Sequence, residues 1–225
     1  MNYFGKTDMG CRRQNNEDTF IAQTIWNDTH LLFAAIDGIG GNAGGEVAAE
    51  ITRNTLINHL EDFPVYNLSL CILQAIIDAN NEVIRYQRAL PRYHEMGCVM
   101  SVGIIDIQDN CLHFGHIGDT RIYILQDGQL NLLTRDETQG RLVTNYIGKR
   151  PILPHSNFCE VQEVQLKADT TLLLCTDGLW KILDEEEISN VLSLQHSSEE
   201  ICSHLIHKAN EKGSSDNVTA VVIKV

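Results

Sequence analysis

Two short runs in this chain of 225 residues are apolar at every position, Leu31 to Ile36 (LLFAAI) and Leu172 to Cys175 (LLLC). Runs of this length suit strands, and a strand that is apolar on both sides must be covered on both sides. Each run ends at an Asp-Gly pair, Asp37-Gly38 directly and Asp177-Gly178 after Thr176. Apolar or alternating patterns predict further strands at Phe20 to Ile25, Val99 to Ile107, Cys111 to Ile117, Arg121 to Leu125, Phe158 to Leu166 and Val218 to Val225. Helical periodicity covers Gly45 to Leu60 and Leu68 to Leu90, with Asn67 as an N-cap, and both helices fall between Ile36 and Val99. Two more helices near the C-terminus are announced by the capping boxes Asp184/Glu187 and Ser197/Glu200, and Gly213 suits a helix end. The acidic stretch 184–187 therefore reads as a helix first turn, where carboxylates are favoured, and not as a binding patch. Strands come in groups and helices in pairs. That order opposes alternating βαβ units and predicts an α+β sandwich with helix pairs covering a mainly antiparallel core.

Thirty Asp and Glu outnumber 17 Lys and Arg, a net charge of −13, which opposes binding to nucleic acid or anionic lipid. The seven cysteines form no C-x-x-C pair, and the nine histidines show no zinc spacing or H-E-x-x-H; the thiols are expected to be reduced and mostly buried. His113 and His116, three apart on a predicted strand, should face opposite sides. No signal peptide or apolar membrane span is visible, so a cytoplasmic location is expected. Four prolines, no repeat and no linker-like stretch give a single domain over 1–225, monomeric by default.

The placement of four acids decides where part of the charge belongs. Asp37 and Asp177 follow the two apolar runs, Asp119 follows His116-Ile117-Gly118, and Asp216 precedes Asn217 and the last predicted strand. Each stands at a strand end. Each alone is explained as a turn residue, but several carboxylates converging at partly desolvated strand ends would repel one another without a cation. An all-oxygen set suits Mg²⁺ or Mn²⁺ better than zinc. In the N-terminal segment, Arg13 lies four residues before Glu17-Asp18; the arginine could bind a phosphate as a charged fork, and either acid could add an outer carboxylate.

Taken in order, Asp8-x-Gly10-x-x-Arg13-x-x-Asn16-Glu17-Asp18, Asp37-Gly38-Ile39-Gly40-Gly41, Gly118-Asp119-Thr120-Arg121, Thr176-Asp177-Gly178-Leu179-Trp180 and Ser215-Asp216-Asn217-Val218-Thr219 resemble the motifs of the PP2C (PPM) family of metal-dependent protein serine/threonine phosphatases, in particular its compact bacterial members. The resemblance spans nearly the whole chain. It implies a four-layer αββα sandwich and hydrolysis of phosphoserine or phosphothreonine in proteins by a metal-activated water, with no covalent intermediate. It also implies a centre of two Mn²⁺ or Mg²⁺ ions. Asp37 would bridge them, the Gly38 carbonyl would bind one, Asp177 and Asp216 would bind the other, and Glu17 would act through water. Asp119 with Asp177 matches a looser third metal position, and Arg13 matches the clamp on the substrate phosphate. Phosphorylated proteins would be the substrates and a cognate serine/threonine kinase an opposing partner.

The chain departs from the family pattern at three places. Ile39 stands where many eukaryotic relatives carry a histidine thought to protonate the leaving group, so the general acid is water or another residue. Cys98-Val99 follows Gly97 where relatives have two hydroxyl residues. The short passage from Thr134 to Gly148 predicts a shortened flap near 135–148 and a more open cleft. Other readings fare worse. Gly38-x-Gly40-x-x-Ala43 fits a dinucleotide fingerprint, but the helix after it leads to a second helix and not to a strand. Neither a Walker A pattern nor a C-x₅-R or D-x-D-x-[TV] nucleophile motif is present, and Asp28-Thr29-His30 lacks the other ligands of a calcineurin-like site. A catalytically weak regulatory or binding module is the alternative; loss of the metal aspartates would be its mark, and all are kept.

Overall fold

The computed structural model describes residues 1–39, 44–62, 67–140, 142–152 and 158–225. Gly40, Gly41 and Ala43 of the glycine-rich segment lie outside them. Along the chain run β1 (Asn2–Asp8), β2 (Asp18–Ile25), β3 (His30–Gly38), α1 (Gly45–Asp62), α2 (Leu68–Ala89), β4 (Cys98–Asp106), β5 (Cys111–Ile117), β6 (Arg121–Gln126), β7 (Gln129–Leu132), β8 (Thr138–Gln139), β9 (Leu142–Val143), β10 (Val161–Gln165), β11 (Thr171–Cys175), α3 (Asp177–Trp180), α4 (Glu185–Leu192), α5 (Ser198–Glu211) and β12 (Val218–Lys224).

Two antiparallel five-stranded sheets, ordered β1-β12-β11-β6-β7 and β10-β5-β4-β3-β2, pack face to face with helices outside, giving the predicted α+β sandwich of αββα layers. Alternation along β3 explains LLFAAI. Leu31, Phe33 and Ala35 face the other sheet, while Leu32, Ala34 and Ile36 face the core under α1 and α2. In β11, Leu172 and Leu174 enter the core between the sheets, and Leu173 and Cys175 pack beneath α4 and α5. Both capping boxes form, at Asp184/Glu187 and Ser197/Glu200, and Asn67 caps α2 by accepting from the Leu70 N–H.

Three strand regions escaped the pattern reading. β1 pairs with β12 along seven residue pairs, although its sequence NYFGKTD lacks an apolar alternation. It is an edge strand whose partner lies more than 200 residues away. β7 is largely exposed, and the ribbon of β8 and β9 has two residues on each side. Among the described residues the cysteines form no disulfide; Cys71, Cys98, Cys175 and Cys202 are buried and Cys11 is exposed. No described helix is long and apolar enough to cross a membrane.

The centre of the sandwich depends on Phe33, fully buried and seated over Gly103, where even a Cβ would come within 2.6 Å of the ring. Phe33→Ala should therefore lower stability by about 3–5 kcal/mol, read as a reduced urea midpoint at unchanged slope.

Candidate active site

Antiparallel pairing of β2 with β3 sets Asp18 directly opposite Asp37 at one end of a sheet. In the other sheet β11 runs into Asp177, and β12 begins just after Asp216-Asn217. The two sheets thus deliver carboxylates to a common edge, where the turn between β5 and β6 adds Asp119 and the β1–β2 connection adds Arg13 and Glu17. Contact at this edge is close. A Cβ at Gly38 would lie 2.4 Å from the Gly45 backbone, and one at Gly178 would lie 2.0 Å from the Asn217 carbonyl oxygen. Glycine after each aspartate is therefore required by space.

Asp18 sits deepest. Its Oδ2 accepts from Thr176 Oγ1 at 2.8 Å and Thr219 Oγ1 at 2.7 Å, so one carboxylate ties β2 to β11 and β12. Asn217 does comparable work for the loop before β2. Its amide donates to the Met9 and Asn15 carbonyls, and its Oδ1 accepts from the Glu17 N–H, all at 2.9 Å. That loop holds Arg13, whose Nη2 lies 2.8 Å from Asp216 and whose Nη1 lies 3.9 Å from Glu17. Lys181 Nζ sits 2.5 Å from Asp177 Oδ2 and 3.7 Å from Asp119 Oδ2. Trp180 Nε1 donates to the Asp119 carbonyl, and the Arg121 guanidinium, paired with Asp136, lies 3.5 Å over the Trp180 ring. Glu137 accepts from the Gly118 N–H, which fastens the segment after Thr134 to the same turn.

The electrostatics describe a crowded site. Burial, and then the charges of Asp18, Asp177, Asp119 and Asp216, raise Asp37 well above the usual carboxylate range. Burial also pushes Asp18 up to about 7, against the two threonine hydrogen bonds, and Asp119 up to about 6, with Asp177 adding to it and Lys181 opposing. Glu17 is raised mainly by burial. Among the described residues, the cations within 4 Å of these acids are Arg13 and Lys181. Six carboxylates set against two cations leave a formal deficit of four charges, which two divalent ions would balance. The donors facing one another are oxygens, as hard ions require. The residues present therefore fit a pair of such ions.

All seven site residues inferred from sequence come together here: Arg13, Glu17, Asp37, Gly38, Asp119, Asp177 and Asp216. Asp18 entered the sequence reading only as an alternative to Glu17, and its depth follows from strand register. Lys181 was missed, although its spacing of four from Asp177 was a usable signal. Ile39 brings no titratable group and donates its backbone N–H to the Gly97 carbonyl. Cys98 lies opposite Gly38 in the β3–β4 pair, buried against Thr52, and burial pushes its thiol up to about 12. It is inert at neutral pH.

Residues 11–219 match the sequence family described as Protein phosphatase 2C. The serine/threonine protein phosphatase PstP of Mycobacterium tuberculosis is 32% identical over 100% of this chain, which spans 45% of the length of that relative. The serine/threonine phosphatase stp of Listeria monocytogenes is 26% identical, with 97% of this chain and 94% of stp covered. In three dimensions the chain superposes with a TM-score of 0.83 on the catalytic domain of PstP in complex with two manganese ions, at 29% identity, covering 98% of this chain and 96% of that one. Motifs, sheet architecture and acidic edge agree with the match over nearly the full length: the chain belongs to the protein phosphatase 2C family.

Proposed function

We propose that this chain hydrolyses phosphoserine and phosphothreonine in proteins with two bound divalent ions, Mn²⁺ or Mg²⁺, and without a covalent intermediate. The observation that carries this reading is the gathering of six carboxylates from two sheets and two connecting loops, with a charge deficit that two such ions would balance. Asp37, the Gly38 carbonyl, Asp177 and Asp216 would hold the ions, with Glu17 acting through water. Bound there, the ions would lower the pKa of a water and polarise phosphoryl oxygens. Arg13 receives the phosphate. Its guanidinium rests on Asp216 and Glu17, two acids that a cation would engage, and its charge then serves the incoming anion. Asp18 positions Asp37 by holding Thr176 and Thr219, and Asn217 positions Glu17 and Arg13 by pinning their loop. Ile39 offers no proton, so the leaving serine or threonine oxygen takes one from water or from another residue of the site.

The whole chain, 1–225, serves as one catalytic domain with a shortened flap near 135–148, which includes the β8–β9 ribbon and leaves the cleft open. Its partners are phosphorylated proteins and an opposing serine/threonine kinase; the charge of −13 disfavours nucleic acid and anionic membranes. A monomer in the cytoplasm fits these features. The rival reading, a catalytically weak binding module, is disfavoured because every acid of the set is kept.

Hydrolysis of a phosphothreonine peptide should require Mn²⁺ or Mg²⁺, stop in EDTA, and fall at least about a hundredfold in Asp37→Asn. Equal rates in all three conditions would refute the phosphatase assignment. The crowded acids also make a pH prediction. A carboxylate raised to about 7 in the folded chain, as Asp18 is, against about 3.9 unfolded, favours folding most below pH 4 and loses that contribution as pH rises to 7. The Tm in EDTA should therefore drop between pH 5.5 and 7.5, with a smaller drop in Asp18→Asn or in saturating Mn²⁺.

A third ion on Asp119 and Asp177 would compete with Lys181, whose ammonium already bridges these two acids. Lys181→Ala should raise the Mn²⁺ bound at saturation from two ions to three in equilibrium dialysis. Adding Asp119→Asn should return it to two.

A further inference from the structure

The phosphatase chemistry uses one end of the β10-β5-β4-β3-β2 sheet. The opposite end carries a different set of ligating side chains. Cys111 and His113 are two apart on β5 and project from one face. Glu163 on β10 lies directly opposite His113, Asp106 on β4 directly opposite Cys111, and His30 on β3 directly opposite Asp106. Residues in register share a face, and so do residues two apart on a strand, so these five side chains form two adjacent rows on one face, His30-Asp106-Cys111 and His113-Glu163. It is the face covered by α2, since the intervening Leu112 and Phe114 point into the core between the sheets. His30 and Asp37 stand at the two ends of β3, about 23 Å apart along the strand.

Cys111 Sγ lies 3.6 Å from His113 Nε2, and Glu163 Oε2 lies 3.7 Å from His113 Nδ1. One ligand atom from each of Cys111, His113 and Glu163 falls within 4.8 Å of the other two. Around a tetrahedral ion with bonds of about 2.0–2.3 Å, neighbouring ligand atoms are about 3.3–3.6 Å apart. The sulfur and the imidazole nitrogen already have that separation. Glu163 is largely exposed on an edge strand, so its own torsions can close the remaining gap. Ser69 Oγ, from the first turn of α2, is 3.0 Å from His113 Nδ1. With the imidazole proton on Nδ1 and donated to Ser69, the Nε2 lone pair faces the thiol, the arrangement that prepares a histidine ligand. Asp106 is fixed behind them; its Oδ1 accepts from the Gln108 and Asp109 N–H groups, and its Oδ2 is 3.5 Å from His30 Nε2. The His113 and Glu163 side of this patch opens onto a cavity of about 480 Å³ bordered also by His30, Ser69 and Asp106, roomy enough for an ion and a water.

We propose that Cys111, His113 and Glu163 bind one transition-metal ion, zinc by the chemistry of a thiolate, an imidazole and a carboxylate, at the end of the sheet remote from the acidic cleft. Burial and the carboxylates of Glu163, Asp106 and Asp109 push the Cys111 thiol up to about 11, so the ion enters by displacing the thiol proton to water, with no change of oxidation state. Two of the ligands belong to β5 and the third to the edge strand β10, so the ion clips that edge in place. The two sites differ in kind, oxygen donors for hard ions in the cleft and sulfur with nitrogen here.

Cobalt(II), a spectroscopic substitute for zinc, tests the assignment. Titrated into the full chain with Mg²⁺ saturating, Co²⁺ should produce a thiolate-to-metal charge-transfer band that saturates at one equivalent and is bleached by Zn²⁺. Cys111→Ser should abolish the band while retaining the wild-type circular dichroism spectrum and Mg²⁺-dependent phosphatase activity. Glu163→Gln, at an exposed position where folding is not at stake, should weaken Zn²⁺ binding at least about tenfold. Absence of the band in the wild type, its persistence in Cys111→Ser, or unchanged Zn²⁺ affinity in Glu163→Gln would overturn the proposal.

Discussion

Asp18 and Asp37 stand side by side on paired strands, and the rest of the active edge is organised around that placement. Like charges on adjacent strands destabilise a sheet, and here burial intensifies the repulsion. The structure answers it in two ways. Hydroxyls of Thr176 and Thr219 reach across from the second sheet to hold one of the two carboxylates, and the remaining acids are turned towards the other. A single sheet could not supply both parts. The sandwich architecture is therefore bound up with the site, because the network joins a strand end of one layer to strand ends of the other.

Cations of the protein's own occupy the margins of this arrangement. Arg13 and Lys181 each bridge two of the acids, and each is partly exposed. Their contacts are with acids that mobile ions would also seek. The site is thus held open to exchange between fixed and mobile charge. Behind Lys181, Trp180 and Arg121 form a rigid support, with the indole hydrogen-bonded to the Asp119 carbonyl and the guanidinium paired with Asp136.

Much of this was readable from the residues in order, and the reasons are local. The double-sided burial of β3 and β11 left unbroken apolar runs, the caps of α4 and α5 left capping boxes, and close approach at Gly38 and Gly178 left the Asp-Gly pairs. What escaped was set by register between distant segments. β1 is a strand because β12 offers it an edge, and nothing in NYFGKTD announces that partner. The depth of Asp18, the reach of Lys181 and the three contacts of Asn217 depend on neighbours up to 208 residues away. Cys111, His113 and Glu163 show the same limit from the other direction. Their spacing resembles no zinc motif, since the third member arrives by strand pairing across a separation of 50 positions.

The pairing of β1 with β12 has a consequence in time. Arg13 and Glu17 lie between β1 and β2, and their loop is pinned by Asn217, at the entrance to the last strand. During synthesis the loop carrying Arg13 and Glu17 emerges well before its anchor, since Glu17 precedes Asn217 by 200 residues. Contacts of such long range form late and slowly. A nascent chain therefore carries Arg13 and Glu17 unfastened until Asn217 and β12 have been added, and the acidic edge is assembled only with completion of both sheets.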